Sequence, residues 1–199
     1  MIHFLGKIPS KVGVAVSGGV DSMALLNFLQ RRNRDITVLH YNHGTLFGEA
    51  GETVVRDYCS MHGLPLLYGK NTVKAPKGAS MEAFWRDQRY SFFGEFNMPI
   101  ITCHHLNDAV ETWIFTSFHG KPSLIPYRRD NFLRPFLLNK KSSIIDWAKK
   151  NNVPYVNDPS NLDTKYCRNF IRHELMPMAK KVNPGIEKTI KKKYLGLKV

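Results

Sequence analysis

Near its N-terminus the chain reads Val12-Gly13-Val14-Ala15-Val16-Ser17-Gly18-Gly19-Val20-Asp21-Ser22. The first five residues are apolar and mostly β-branched, which predicts a short buried strand of a parallel sheet. Ser17-Gly18-Gly19 interrupts this strand, and a helix is predicted from Asp21 to Gln30. A strand that passes through a glycine turn into a helix indicates the start of a βαβ unit.

The rest of the chain continues this alternation of strands and helices. Strands separated by helices indicate an α/β fold with a doubly wound parallel sheet, which binds ligands at the carboxyl ends of its strands. Residues 1–133 are expected to form this α/β domain, with residues 134–199 as a helical extension that packs on it and ends in a basic tail. Strands are predicted at 36–40, 65–68 and 99–103, and helices at 49–62, 80–96, 107–118, 141–151, 165–181 and from Pro184, with an irregular loop between 118 and 141.

The charge of the chain predicts a polyanionic partner. The 199 residues include 29 Lys and Arg against 16 Asp and Glu, a formal net charge of +13. Four of the lysines lie in the tail 188–193, and without them the net charge is still +9. Because cations that neutralise phosphates release counterions, this excess favours nucleic-acid binding. The alternative is a solvated basic surface.

Other features of the composition exclude several classes of protein. Three scattered cysteines, Cys59, Cys103 and Cys167, argue against a disulfide framework and against a zinc or iron–sulfur site. No apolar run approaches the roughly 18–20 residues of a membrane span, and the N-terminus lacks a secretory signal. We therefore expect a cytoplasmic protein with no membrane partner.

The turn between the first strand and the first helix has the chemistry of a phosphate site. Gly18 and Gly19 let the backbone approach a phosphate, and the helix N-terminus supplies partial positive charge. Ser17 and Ser22 add hydroxyl donors, whereas Asp21 would repel a bare phosphate and so indicates a bridging Mg²⁺. The string is neither a Walker A loop nor the Rossmann glycine motif. The alternative is an ordinary tight turn between strand and helix.

A pair of carboxylates follows the strand at 99–103. Asp108 and Glu111 are three residues apart, so they share one face at the start of the helix at 107–118. Such a pair can bind Mg²⁺ or an ammonium group, or can complement the helix dipole. His104 and His105 are interpreted as capping or packing residues in preference to metal ligands.

Arginines recur at helical spacing in two places. Arg86 and Arg89 lie beside Tyr90 on one helix face, which suits phosphate binding and base stacking. The alternative is a solvated arginine face with a Glu82–Arg86 pair. A second pair follows the stretch Asn157-Asp158-Pro159-Ser160-Asn161 and consists of Arg168 and Arg172, one turn apart. This segment is also compatible with a turn and a helix cap.

These motifs carry a resemblance to known families. The string Ser-Gly-Gly-x-Asp-Ser resembles the signature of PP-loop ATP pyrophosphatases. The motifs H-H-x-D-D-x-x-E-T, A-R-x-x-R-Y, R-P-L-L and D-x-S-N … R-N-x-I-R of the tRNA(Ile)-lysidine synthetase family resemble four segments of this chain. The likeness runs from about residue 11 to about residue 184. The matching segments are 104–112, 85–90, 134–137 and 158–172.

The resemblance implies a PP-loop ATPase fold, like that of the adenine nucleotide alpha hydrolases. It also implies a carbon–nitrogen ligase that uses ATP and Mg²⁺. Such an enzyme adenylates the wobble cytidine of the isoleucine tRNA with a CAU anticodon and ligates free lysine to it, with release of AMP and pyrophosphate. The residues implied are Asp21, Arg86, Asp108 and Glu111 for catalysis; Ser17, Gly18, Gly19, Asp21, Ser22 and Asn42 for the nucleotide; Asp21 and Asp108 for the metal; and Arg86, Arg89, Arg168 and Arg172 for tRNA.

The chain departs from the family pattern at several points. Asn107 replaces the first Asp of the family's pair, residues 42–46 read N-H-G-T-L in place of D-H-G-L-R, and residues 119–122 replace the usual R-G-S-G. The chain also ends where most members continue into tRNA-binding domains. Three alternatives stay open: a tRNA thiolation enzyme of the same class, a truncated tRNA-binding homologue with little turnover, and a small-molecule ligase. The oligomeric state is open as well, with a homodimer as one expectation.

Overall fold

A six-stranded sheet forms the centre of the protein. The computed structural model describes residues 2–196, apart from the side chains of residues 161 and 162. The strands run in the order β3-β2-β1-β4-β6-β5, and all neighbours pair in parallel except β5 and β6. The predicted α/β fold with a doubly wound parallel sheet is therefore confirmed. The strands are β1 (Lys11–Ala15), β2 (Asp35–Asn42), β3 (Leu66–Lys70), β4 (Ile100–Ile101), β5 (Arg128–Arg129) and β6 (Phe132–Leu133).

Most of the predicted helices are present, and two differ from prediction. The second helix begins at Leu46, where Thr45 Oγ1 accepts a hydrogen bond from Gly48 N at 3.0 Å. The helix predicted at 165–181 is divided by a π-helical turn at Ile171–Leu175. No helix between residues 2 and 196 has the length and apolar character needed to cross a membrane. The helices are α1 (Val20–Gln30), α2 (Leu46–His62), α3 (Met81–Gly94), α4 (Leu106–Phe118), α5 (Lys141–Lys150), α6 (Cys167–Phe170), α7 (Met176–Val182) and α8 (Ile186–Tyr194).

Alternate residues of the central strands face two separate cores. Val12 and Val14 of β1 lie in the core that α1, α2 and α5 cover, whereas Leu39 of β2 and Ile100 of β4 lie in the core that α3 covers with Phe93. Because successive side chains of a strand point to opposite faces, helices bury both sides of the sheet. The loop predicted between residues 118 and 141 also contains the β5–β6 hairpin, which extends the sheet at one edge.

The residues after β6 pack in two places. Trp147 of α5 donates from Nε1 to Asn27 Oδ1 of α1 at 3.0 Å, so α5 lies on the first core. Ile171, Met176 and Ile190 are buried against α4 in a further cluster. The predicted basic tail therefore lies largely in α8, a helix with a buried apolar side. The division of the chain at residue 133 stays a prediction, and residues 197–199 lie outside the described part.

Two glycines bring α2 against the turn that follows β1. Gly18 has a φ of +86°, and a Cβ added to it would lie 2.5 Å from Gly51 Cα. A Cβ added to Gly51 would lie 2.5 Å from the carbonyl oxygen of Ser17. Since both obstacles are backbone atoms, neither position can hold a side chain unless the turn and α2 move apart.

We predict that Gly51→Ala destabilises the protein by about 1–3 kcal/mol, because the added methyl group overpacks the contact between α2 and the turn. The measurement is the free energy of unfolding in urea. Gly94→Ala is the matched control, since the same methyl group on this residue of α3 meets no atom within 4 Å. The control is expected to be neutral or stabilising by up to about 1 kcal/mol. Equal stability of Gly51→Ala and the wild type would contradict the proposed close contact.

Candidate active site

The turn between β1 and α1 is held by its two serines. Ser17 N donates to Ser22 Oγ at 3.1 Å, and Ser22 Oγ donates to the carbonyl oxygen of Gly19 at 3.0 Å. Ser17 is exposed and Gly19 half-buried. Within the described residues, α1 begins without a hydrogen bond from a capping side chain. Its first N–H groups are therefore available to an anion, together with the positive end of the helix dipole.

Asp21 lies at the first turn of α1 between Lys141 and His105. Its Oδ2 is 3.6 Å from Lys141 Nζ and 3.8 Å from His105 Nε2. Its Oδ1 is buried and has no hydrogen-bond partner among the described residues. Burial opposes the charged form, but His105, Lys141 and Arg172 outweigh burial and lower the pKa of Asp21. The result is an ionised carboxylate with one oxygen that lacks a hydrogen-bond partner among the described residues. It lies beside the turn between β1 and α1 (residues 17–19), which we call the phosphate turn.

His105 and Asp108 cap the start of α4 reciprocally. His105 N donates to Asp108 Oδ2 at 2.9 Å, and Asp108 N donates to His105 Nδ1 at 3.3 Å. The capping role interpreted for His105 is therefore present. Burial lowers the pKa of His105, yet the charges of Asp108 and Asp21 prevail and raise it. Oδ1 of Asp108 is 3.5 Å from Arg172, so both carboxylate oxygens have partners.

Glu111 forms a two-pronged ion pair with Arg172. Arg172 Nε donates to Glu111 Oε1 at 2.7 Å, and its Nη2 donates to Oε2 at 3.1 Å. Burial raises the pKa of Glu111, although Arg172 opposes this shift. Arg172 lies in the π-helical turn, a geometry that is found frequently at functional sites. The arginine predicted to bind tRNA thus contacts the carboxylates in this structure.

A cleft of about 260 Å³ opens beside this ion pair. Three cations, Lys141, Arg172 and Lys180, line it together with Glu111 and Asn107. Lys180 is also paired with Glu187 at 2.7 Å. The cleft therefore presents positive charge next to a carboxylate, which suits a small ligand that carries both signs of charge.

The other three predicted tRNA-binding arginines form a separate cluster on α3 and α6. Glu82 pairs with Arg168 at 3.3 Å, which joins α6 to the start of α3; the alternative pairing with Arg86 is not the one observed. Arg86 and Arg89 lie 5.7 and 5.9 Å from the ring of Tyr90. Burial lowers the pKa of Arg89, and the charges of Arg86 and Arg168 add to this shift. The cluster is a concentration of positive charge beside an aromatic ring.

Asn42, at the end of β2, is fully buried. Its Nδ2 donates to Glu52 Oε2 and its Oδ1 accepts from Gly44 N, each at 2.8 Å. The side chain is therefore committed to the fold, and its role at a nucleotide stays a prediction. The next residue, His43, lies 5.8 Å from the ring of Trp85. Burial and the charge of Arg89 lower the pKa of His43 to about 4, so the ring is neutral at pH 7.

The segment at 157–161 adjoins the phosphate turn. Val156 N donates to the carbonyl oxygen of Gly18 at 3.0 Å, and Val156 forms a parallel bridge with Gly19. Asp158 then caps a 3-10 turn at Pro159–Leu162 by accepting from Ser160 N at 2.8 Å. This part of the chain therefore reaches the turn through its backbone, and Asp158 has the capping role that its sequence allows.

Two residues of the site escaped the sequence analysis. Lys141 is the first residue of α5, and its N donates to Asn107 Oδ1 at 2.9 Å. Asn107 thus fixes the start of α5 beside Asp21. A lysine at a helix N-terminus is unfavourable because its charge opposes the helix dipole. This unfavourable position is the feature of the sequence from which a functional role for Lys141 could have been predicted. Asn107 was noted only as a departure from a motif, because its partner lies 34 residues away.

Comparisons with known proteins identify the family of the chain. Residues 3–179 match the PP-loop domain family. The chain is 35% identical over 194 residues to the tRNA(Ile)-lysidine synthase of Thermotoga maritima, which covers 89% of this chain and 47% of that protein. It is 32% identical over 197 residues to the enzyme of the same name from Francisella tularensis subsp. novicida, with 92% and 49% covered. The chain therefore spans about half the length of these relatives.

Solved structures show the same fold at low sequence identity. The U34-tRNA thiolase NcsA from Methanococcus maripaludis, solved with its [4Fe-4S] cluster, superimposes with a TM-score of 0.73 at 15% identity, over 96% of this chain and 74% of that one. NMN synthetase from Francisella tularensis gives a TM-score of 0.51 at 13% identity, over 96% and 79%. With a phosphate turn at the carboxyl edge of a parallel sheet and a family match over residues 3–179, the chain belongs to the PP-loop family.

Proposed function

We propose that this protein is an ATP-dependent tRNA(Ile)-lysidine synthetase. It would adenylate the wobble cytidine of a tRNA with a CAU anticodon and then join free lysine to that base. The observation that carries the proposal is the meeting of Asp21, Asp108 and Glu111 beside one open phosphate turn. The names of the two relatives and the order of the motifs support the choice of reaction.

The phosphate turn supports the use of ATP with Mg²⁺. Asp21 has a buried oxygen without a partner in the described chain, as expected of a metal ligand. No group of three or more His, Cys, Asp or Glu residues in that part of the chain could hold a metal by itself. Mg²⁺ often binds through one or two carboxylates and the phosphates of its substrate, so the residues fit. Bound there, Mg²⁺ would neutralise charge on the departing pyrophosphate. Asp108, with both oxygens engaged, is the weaker candidate ligand.

The cleft beside Glu111 supports an amino acid as the second substrate. Its three cations suit a carboxylate group, whereas Glu111, which also lines the cleft, suits an ammonium group, as does Asp108, the other acid that pairs with Arg172. Arg172 now neutralises these acids, so an incoming ammonium group would share or replace its contacts. The raised pKa of Glu111 brings this carboxylate closer to the range in which it can accept a proton from the amine.

The arginine cluster supports a tRNA substrate. Arg86, Arg89 and Arg168 lie near the end of β2, because Trp85 precedes Arg86 and contacts His43. We propose that Arg86, Arg89 and Arg168 bind phosphates of the anticodon loop, and that Arg86 also stabilises the leaving AMP. The neutral ring of His43 and the indole of Trp85 are available for contact with a base.

The chemistry then consists of two displacements. The ring carbonyl oxygen of the cytidine forms a bond to the α-phosphorus of ATP, and the bond to pyrophosphate breaks. The ε-amine of lysine next bonds to the activated ring carbon, loses a proton to a base such as Glu111, and expels AMP with the former carbonyl oxygen. The two steps give the modified base, AMP and pyrophosphate.

We predict that labelled lysine enters the tRNA when the protein is incubated with the CAU transcript, ATP and Mg²⁺. The measurement is label that precipitates with tRNA in acid, compared with AMP formed in equal amount. A transcript with uridine at the first anticodon position is the control and should remain unlabelled. Absence of label on the CAU transcript would refute the lysidine reaction. Sulfur-dependent gain of mass would favour thiolation, and tRNA binding without AMP would favour a homologue that lacks turnover.

Asp21→Asn is expected to reduce tRNA-dependent pyrophosphate release by roughly 100-fold or more, because it removes a charge that holds the metal and phosphates. tRNA binding should persist, since the arginine cluster is intact. Asp130→Asn is the matched control, because Asp130 is an exposed acid in the β5–β6 hairpin and asparagine also tolerates its positive φ of 55°. Pyrophosphate release at the wild-type rate in Asp21→Asn would rule out this role.

Glu111→Gln should raise the KM for lysine by about tenfold or more, the loss expected when a charged hydrogen bond of about 1.5 kcal/mol is removed. Adenylation of tRNA should continue, since lysine enters after it. Thermal unfolding must accompany the assay, because the change also breaks a partly buried ion pair. Glu95→Gln is the control, since Glu95 is a solvent-exposed acid at the end of α3 that has no role in the proposed reaction. An unchanged KM for lysine would remove Glu111 from the amine site.

A further inference from the structure

A second basic surface lies at the opposite end of α1 from the phosphate turn. Arg31, Arg32 and Arg34 follow the last residue of α1, and Lys149 and Lys150 end α5. We call these five residues the α1–α5 basic surface. Because α1 has 11 residues, this surface is about 16 Å from Asp21 along the helix. The cations already assigned to the proposed reaction lie elsewhere.

Contacts between the two helices show that their basic ends adjoin. Lys141 contacts Asp21 at the first turns, and Trp147 bonds to Asn27 further along. Both pairs are 120 residues apart in sequence, so α1 and α5 run parallel in one register. The same register puts Lys149 and Lys150 beside the last residues of α1. The five cations therefore form one continuous patch.

The positive charge of this surface is larger than the negative charge of the two helix C-termini and the nearby acids. Each helix C-terminus carries about half a negative charge. The acids nearest to these cations in the sequence are Asp35, which follows Arg34, and Asp146, one turn before Lys149 and Lys150. None of the five cations forms an ion pair within the part of the chain that the structure describes, and all are exposed except Arg34, which is half-buried. A net positive charge of about two remains after both acids and both helix dipoles are counted.

Two arginine side chains of this surface are held in place by packing but have N–H groups without a hydrogen-bond acceptor in the described part of the chain. Arg32 lies over the ring of Phe28 at 4.9 Å, and Phe28 packs against Trp147 at 4.8 Å. A guanidinium group stacked on a ring keeps its N–H edge free for an anion. Arg34 Nε is buried and has no acceptor among residues 2–196. A phosphate oxygen would supply an acceptor to the exposed guanidinium group of Arg32.

We propose that the α1–α5 basic surface binds the phosphate backbone of RNA, as a contact separate from the site that receives the modified base. The tRNA would then be held at two places about 16 Å or more apart. The identification of the RNA as tRNA rests on the proposed function, whereas binding of an RNA backbone does not. The contact is independent of sequence, because exposed arginine and lysine groups recognise phosphates and not base edges.

The test measures binding of the tRNA transcript to the full chain by fluorescence anisotropy over a range of KCl, without ATP or lysine. The variant is Arg31→Gln with Lys149→Gln and Lys150→Gln, which leaves the packed Arg32 and Arg34 intact. Each lost phosphate contact should reduce the slope of log affinity against log salt by about 0.7–0.9, so the triple variant should be shallower by roughly 2–3. Asp146→Asn, which removes a nearby acid, should tighten binding.

The matched control removes the same charge elsewhere, by Lys74→Gln, Lys77→Gln and Lys121→Gln, three exposed lysines of loops. Its slope should stay close to that of the wild type. An equal loss of slope in both triple variants would show an effect of net charge alone and would overturn the proposal. The proposal would also be overturned if the variant of Arg31, Lys149 and Lys150 bound RNA as the wild type does but no longer bound phosphatidylserine vesicles. That result would indicate a membrane surface as the partner. Since turnover is not measured, failure of lysine transfer leaves this result unaffected.

Discussion

The contact of two backbones at Gly18 and Gly51 is the constraint on which the site depends. With no side chain on either residue, α2 packs directly on the phosphate turn. On its other side the turn is bridged to Val156, so residues from three parts of the chain fix its shape. Because the turn is fixed, the start of α1 and the carboxylate of Asp21 have one orientation at the carboxyl edge of the sheet. Preorganised groups of this kind bind charge without a cost of rearrangement.

The carboxylates of the resulting site already have partners within the protein before any substrate arrives. These carboxylates contact side chains from the start of α4, from α5 and from the π-helical turn, and these contacts tie the helical part of the chain to the sheet. A ligand that enters must therefore exchange partners with groups already in place, and this exchange favours charged ligands over neutral ones. The carboxylates are Asp21, Asp108 and Glu111, and their partners are His105, Lys141 and Arg172.

Local patterns in the sequence predicted what depends on local physics. The glycine turn, the parallel sheet and the helix predicted from residue 80, where Ser80 Oγ accepts a hydrogen bond from Ala83 N at 3.4 Å, all follow from neighbouring residues. The pairing of Arg172 with Glu111 did not, because it spans 61 residues and depends on a π-helical turn with no sequence signal. The β5–β6 hairpin was missed since each strand has two residues. The start of α2 was predicted three residues too late, because Gly48 and Gly51 lower the helix propensity of this segment.

The central claim is that the phosphate turn binds a nucleotide through a magnesium ion held by Asp21. Isothermal titration with an ATP analogue that carries a methylene group between the α- and β-phosphates tests it without turnover. The account predicts a saturable heat of binding with Mg²⁺ that is lost when the metal is chelated. No heat of binding at millimolar analogue, or equal binding with and without Mg²⁺, would contradict it.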